Sequence, residues 1–353
     1  MPAPLDPIVL NGSHGEGGGA LLRTAVAMSS LTQQPLHVHS VRGGLRKPGL
    51  TPEDLTFIDV LGDSTRAEVE GLGVGSDELK FTPRSLPRPV SGRYDVHVHQ
   101  KGKVPGNAQI VLTGLVPILA RAGGYSDVSV CAETHNEKTV GYDAFERSTL
   151  PALRRFGLYA ASRLIEPGFG YGARGEVMLE VEPSGLGAVE WGSRGDLVAA
   201  GATVSCGDMT ERDGEAAATC VRALAEKKRM ELEYDVVSLA SKSKGATVTV
   251  WAEFERGFGS GTAALSHEGT IEEAASLAFH RFCEWFETDY TVDPFLADQL
   301  LLVAAQAEGR TVFTTPLITQ RFTTMAWAVR QFMPIHITVL GREGEPGTVT
   351  IER

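Results

Sequence analysis

Apolar and polar positions recur along this chain with helical and strand periods, and glycines and prolines cut the runs into short segments. Read in order, the segments predict a helix over 19–31, an alternating strand over 35–42, a helix over 52–61 and strands near 66–70, 78–82 and 94–99. After a turn at 104–107 the same order returns as a helix over 108–122, a strand over 127–132, a helix over 142–156 and strands over 159–165 and 176–181. A third copy runs through a helix at 295–306, a strand at 310–314, a helix at 319–332 and strands at 336–340 and 348–352. One pattern met three times predicts tandem α/β repeats.

Residues 184–290 do not continue the count. They predict strands over 197–205 and 231–239 around a helix over 211–230, then an alternating strand over 247–254 and a helix over 271–286. In that alternating strand Val248, Val250, Ala252 and Phe254 face one way, while Thr247, Thr249 and Glu253 face the other. The expected fold class is α/β (α+β). A large domain of three repeats spans 1–183 and 291–353, and a smaller α/β domain at 184–290 is inserted after the second repeat.

Composition narrows the function. With 42% hydrophobic and 22% charged residues in 353, the chain is neither disordered nor fibrous. Forty-four acidic against 33 basic residues give a net charge of −11, so the surface as a whole repels phosphate polymers and any anion site must be a local cluster. Cys131, Cys206, Cys220 and Cys283 stand far apart without a CxxC pair, which argues against a zinc knuckle or a secreted disulfide framework. Pro2, Pro4, Asp6 and Pro7 break any leading apolar run, and no apolar stretch of about 18 residues follows. A cytoplasmic protein without membrane contact is expected, and nothing in the sequence specifies its oligomeric state.

Two clusters carry candidate chemistry. The first is Asn11-Gly-Ser-His-Gly-Glu-Gly-Gly-Gly-Ala-Leu-Leu-Arg23, a glycine-rich turn between a strand and a helix. Gly15, Gly17, Gly18 and Gly19 let backbone amides approach an anion, and the following helix N-terminus adds partial positive charge. Glu16 in that turn would repel phosphate unless a divalent cation lay between them, which suggests a metal-assisted nucleotide site. The run is neither a Walker A loop nor a clean GxGxxG, and a turn serving geometry alone is the plain alternative. Arg23, early in an apolar helix, needs a partner. The second cluster, Arg42-Gly-Gly-Leu-Arg46-Lys47-Pro48-Gly49-Leu50, places cations on a turn-rich loop after a strand, a compact phosphate or carboxylate site or simply a solvated loop.

Together the run His-Gly-Glu-Gly-Gly-Gly-x-Leu-Leu-Arg-Thr and the later Val-Arg-Gly-Gly-Leu-Arg-Lys-Pro-Gly-Leu resemble the signature of the RNA 3′-terminal phosphate cyclase family. Pro294-Phe-Leu-Ala-Asp298-Gln-Leu300 and Gln331-Phe-Met-Pro334 are similar to its later segments, so that the resemblance spans the chain. It implies three α/β repeats with an inserted domain after the second. It also implies ATP, a divalent cation (Mg or Mn) and an RNA 3′ end as partners, in a reaction that closes a terminal 3′-phosphate to a 2′,3′-cyclic phosphodiester through an adenylated histidine.

By that resemblance Glu16 and Asp298 are metal-associated, and Arg23, Arg42 and Lys47 hold phosphate, with Arg46 displaced by one position and Leu45 in the place of an arginine. Glu53-Asp54 replace a Gln-His pair, Thr113 replaces a glutamine with Gln109 one turn earlier, and Asn136-Glu-Lys-Thr-Val140 replace a Pro-rich adenine loop. The nucleophile departs most. Thirteen positions before Pro334, where the adenylated histidine is expected, stands Arg321. A guanidinium stays protonated and cannot attack the α-phosphate, whereas a neutral imidazole can. His14 in the glycine-rich turn is the candidate substitute. His37 with His39 and His97 with His99 are spaced i, i+2, so on strands each pair would share a face.

The expectation is thus a diverged cyclase-like protein that binds an RNA 3′ end or acts in RNA processing without the histidine adenylate. The alternatives are an active ATP-dependent cyclase and a non-catalytic protein-interaction module. Glu16, Arg23, Arg42 and Asp298 are expected to converge on one cleft.

Overall fold

The computed structural model describes residues 6–136 and 140–353. Pro2, Pro4 and the middle of the 136–140 loop lie outside the described residues.

The chain folds into four four-stranded mixed sheets covered by helices, an α/β architecture. In the first sheet β1 (Ile8–Asn11) crosses through α1 (Gly19–Thr32) to a parallel β2 (Leu36–His39). After α2 (Pro52–Thr65), β3 (Glu68–Glu70) and β4 (Glu78–Thr82) complete the order β1-β2-β4-β3 with antiparallel pairs. The second sheet has the same pattern. Here β5 (Ser91–Asp95) connects through α3 (Ala108–Leu119) to a parallel β6 (Ser126–Ala132), and a helical run of α4 (Tyr142–Ala144), a π-turn and α5 (Leu150–Arg155) precedes β7 (Ala160–Glu166) and β8 (Gly175–Val181).

A short β9 (Glu190–Trp191) then runs out of the count, followed by β10 (Leu197–Gly207), α6 (Glu211–Lys227), β11 (Glu233–Leu239), β12 (Gly245–Phe254), β13 (Gly257–Ala264) and α7 (Ile271–Phe286). Their sheet has the order β11-β10-β12-β13, and α6 and α7 cover one face with a hydrophobic cluster of its own that includes Val204, Val221, Val250 and Phe282. The chain closes with α8 (Pro294–Ala304), β14 (Arg310–Thr315), α9 (Gln320–Phe332), β15 (His336–Leu340) and β16 (Gly347–Glu352). In this last sheet β14 pairs in parallel with β9, so Trp191, together with Leu186 and Val189, belongs to the large cluster although it precedes β10.

Local chemistry fixes the helices that matter for the site. Thr51 caps α2 in a reciprocal capping box with Asp54, and Pro52 supplies the preset φ of a first helical residue. Asp293 caps α8 by accepting the N–H groups of Phe295 and Leu296, and Thr319 caps α9 through Phe322. The apolar faces bury α1 against α2 and α9, α3 against α2 and α8, and α8 against α9. The ends of these helices therefore meet around a common space.

Several local expectations shift. The strand expected over 35–42 stops at His39 because Ser40 and Arg42 adopt left-handed φ of 53° and 54°. The one expected over 94–99 is instead β5 followed by a 3-10 turn, Val96–Val98, begun where Asp95 accepts the His97 N–H. His97 and His99 thus do not share a strand face. The helix expected over 142–156 is interrupted at Phe145–Thr149 by wider π-type bonding. β13 carries no strand signal because its sequence, GFGSGTAA, is rich in glycine.

All four cysteines are free thiols. Among the described residues no helix is long and apolar enough to cross a membrane.

Candidate functional site

The glycine-rich turn begins where Asn11 folds its side chain back to accept the Ser13 N–H and hydroxyl at 3.0 and 2.7 Å. Gly15 has a φ of +60°, and a Cβ there would lie 2.2 Å from Thr324 Oγ1 on α9. That same hydroxyl accepts the Glu16 N–H at 2.9 Å, so the turn is pinned to the last helix. Gly19 opens α1, and a Cβ on it would lie 2.5 Å from Arg42 Nη1 and 2.7 Å from Arg23 Nη1. A side chain at this position would have to displace both guanidinium groups from the helix start.

Both arginines converge on one carboxylate. Arg23 Nη1 donates to Asp54 Oδ1 at 2.7 Å and Arg42 Nη1 to Asp54 Oδ2 at 3.3 Å. Thr51 Oγ1 donates to Oδ2 as well, at 2.7 Å, so the residue that caps α2 also gathers the arginines. The Asp54 side chain is fully buried. Its neighbour Glu53 lies 3.7 Å from Arg23 and accepts the Asn107 N–H at 3.1 Å, while burial raises its carboxyl above the ordinary range against the pull of Arg23.

A second charged group faces the first. Asp298 on α8 is buried and accepts Thr319 Oγ1 at 2.7 Å and Arg321 Nη1 at 3.4 Å. Burial pushes its carboxyl up to about 7, opposed by Arg321 and the Thr319 hydroxyl. Arg321 Nε also lies 3.6 Å from Glu16 Oε1. The guanidinium bridges the two carboxylates that sequence reasoning assigns to a metal.

These groups stand around a cleft of about 270 Å³. Glu16, Arg23, Arg42, Asp298 and Arg321 give it its charge, Gly18 and Gly19 line it at the start of α1, and Ile110, Phe295, Leu302 and Met325 give it apolar surface. Gln109, fully buried, also lines it, and among the described residues neither atom of its amide has a hydrogen-bond partner.

Other candidates lie elsewhere. Leu45 lines the cleft, whereas Arg46 and Lys47 stand exposed on the adjoining loop, outside its walls. Gly15 and Gly17 shape the turn behind it, and His14 turns away to stack on Trp327 with ring centroids 3.8 Å apart. Sequence reasoning missed Thr319 and Thr324 as anchors of the site. It also missed Asp54 as the shared partner of the arginines, although Thr51-Pro-Glu-Asp carries the spacing of a helix start.

Whether Glu16 and Asp298 suit a divalent ion is decided by Arg321. A guanidinium already lies against both carboxylates, and among the described residues no group of three or more His, Cys, Asp or Glu is arranged to hold a metal. The donor set fits an internal cation, not a divalent one.

Fold and site together define a mixed α/β protein with an arginine-lined cleft at the start of a glycine-led helix, in which each guanidinium meets a carboxylate. The chain belongs to the RNA 3′-terminal phosphate cyclase family, whose pattern matches residues 14–339. It is 32% identical over 352 residues to the RNA 3′-terminal phosphate cyclase of Thermococcus gammatolerans, covering 98% of each chain. The proteins of that name from Methanopyrus kandleri, 29% identical over 98% of each chain, and Methylococcus capsulatus, 31% identical over 97% of this chain and 95% of that one, are similar to it along the same length.

Proposed function

We propose that this protein binds the phosphorylated 3′ end of an RNA in the cleft, as a cyclase-like protein of RNA processing, and does so without a histidine adenylate. The observation that carries this reading is Arg321, whose Nε and Nη1 lie 3.6 and 3.4 Å from Glu16 and Asp298 at the place the resemblance gives to the nucleophile. A guanidinium has no lone pair to offer phosphorus at any accessible pH. His14 is held in a stack on Trp327 and does not line the cleft, which speaks against its serving as the substitute.

Arg23 and Arg42 would hold the terminal phosphate, with Gly18 and Gly19 at the start of α1 supplying the close backbone approach. Arg46 and Lys47, exposed beside Leu45, would meet the chain of the RNA rather than its terminus. ATP, if taken up, would compete for the same arginines. In this reading residues 1–183 and 291–353 act as the unit that carries the cleft, 184–290 form an inserted unit apart from β9, which pairs with β14 of the large one, and the protein works in the cytoplasm.

Incubation with α-labelled ATP and Mg²⁺ or Mn²⁺, followed by a search for a protein-bound label, tests the reading together with conversion of a 3′-phosphorylated oligoribonucleotide. Neither adduct nor cyclic end is expected, while the oligoribonucleotide binds. The cyclase name of the relatives favours the opposite outcome, an active enzyme. An adduct that disappears in His14→Ala would establish it.

A further inference from the structure

Arg321 sits at the second position of α9, where Thr319 fixes the helix start and, through its hydroxyl, one oxygen of Asp298. The other Asp298 oxygen faces Arg321 Nη1, and Glu16 Oε1 faces Nε. Glu16 is itself immobilised through its backbone by Thr324 on the same helix. The start of one helix thus holds the cation, its cap fixes one oxygen of Asp298, and Thr324 one turn on holds the Glu16 backbone beside it.

A divalent ion in that place would need about six oxygen ligands at roughly 2.0–2.5 Å. It would also set two positive charges against a guanidinium that cannot discharge by losing a proton. The two cations exclude one another. Asp298 and Glu16 with Arg321 removed are, by contrast, two carboxylates lining one cleft on either side of the vacated guanidinium, a donor set that Mg²⁺ or Mn²⁺ accepts when water and a phosphate complete the shell.

We propose that Arg321 is the permanent cation of this site, standing in for a divalent ion, so that the ligand received is a metal-free phosphate monoester rather than a metal-chelated triphosphate. Arg321 is half-buried and lines the cleft, and with five N–H donors it retains some for a phosphate after serving Asp298. The choice of ligand rests on the reading of the cleft as a phosphate site. The exclusion of the divalent ion does not.

Mn²⁺ titration followed by electron paramagnetic resonance, on the full chain with and without orthophosphate, tests the exclusion. The unmodified protein is expected to take up no stoichiometric Mn²⁺. Arg321→Ala should bind one equivalent at least tenfold more tightly, and the double variant Arg321→Ala/Glu16→Gln should lose it. Arg321→Gln, closer in shape, serves if the alanine variant fails to fold by circular dichroism. One Mn²⁺ in the unmodified protein that is lost on Glu16→Gln, or a folded Arg321 variant that binds no more than the unmodified chain, would overturn the proposal. Binding of a 3′-phosphorylated oligoribonucleotide should be the same within about twofold in EDTA and in Mg²⁺. Binding abolished by EDTA would also overturn it, whereas no oligoribonucleotide binding in either condition would remove the phosphate reading and leave the Mn²⁺ result to judge Arg321.

Discussion

The hydroxyl of Thr324 accepts the N–H of Glu16 at 2.9 Å across 308 positions of sequence, tying the first glycine-rich turn to the last helix. Thr324 is almost fully buried, so without its hydroxyl the Glu16 N–H would lose its partner on α9. Thr324→Val should destabilise the protein by about 1–3 kcal/mol, and Thr324→Ser by much less. Urea midpoints of the three proteins check this. A valine variant as stable as the parent would mean that the contact does not hold the turn.

Asp54 gathers Arg23, Arg42 and Thr51 with no exposed surface of its own. Asp54→Ala should therefore cost about 3–5 kcal/mol, the usual penalty for leaving partly buried charges without their counter-ion. Asp54→Asn should be milder and should strengthen orthophosphate binding, because it releases two guanidinium groups. Calorimetric titration at fixed salt decides the second point. An asparagine variant that binds orthophosphate more weakly than the parent would show that the arginines depend on Asp54 for their aim.

Asp298 gives a pH dependence of definite sign. Its carboxyl is raised to about 7 in the fold, whereas in an unfolded chain it titrates near ~3.9. Between those values the native state holds a proton that the unfolded state has released. Its contribution to stability is complete below about pH 4 and is lost as pH rises through 7. The stability of the parent relative to Asp298→Asn should accordingly fall between pH 5 and 8, measured by chemical denaturation at each pH. A difference that grows over that window would contradict the upward shift that burial gives the Asp298 carboxyl against Arg321 and Thr319. Asp293 and Asp143, raised by burial to about 6, act in the same direction at lower pH and are common to both proteins.

Arg42→Ala should weaken binding of a 3′-phosphorylated oligoribonucleotide by about tenfold or more, since a charge-assisted contact to phosphate is worth roughly 1.5–3 kcal/mol. Lys47→Ala, on the exposed loop, should have a smaller effect that shrinks further as salt is raised. Fluorescence anisotropy at two salt concentrations separates them, and equal losses would place the terminus on the loop instead of in the cleft.

The α/β class was legible because the period changes from two to 3.6 are punctuated by glycine and proline; the helix over 271–286 and the strand over 78–82 coincide with α7 and β4. β9 was not legible, because two residues have no period and their pairing with β14 is a tertiary fact. β13 was hidden for a different reason, as Gly259 and Gly261 pass close under α7, where a side chain would collide, and so erase the alternation. At the site, the motifs marked Glu16, Arg23, Arg42 and Asp298, and all four line the cleft. What the motifs did not carry is which charges neutralise which, because the meeting of Arg321 with Glu16 depends on how α9 packs against α1.

The tie between Glu16 and Thr324 also sets an order of events during synthesis. At roughly 5–20 residues per second, the 308 positions separating them take on the order of 15 to 60 seconds to emerge. Throughout that interval the glycine-rich turn lacks its tie to α9, and until Arg321 is made Glu16 lacks that partner. A nascent chain lacking its last fifty residues would hold Arg23, Arg42 and Asp298 but neither Arg321 nor Met325, so that the cleft gains its third guanidinium only when α9 leaves the ribosome.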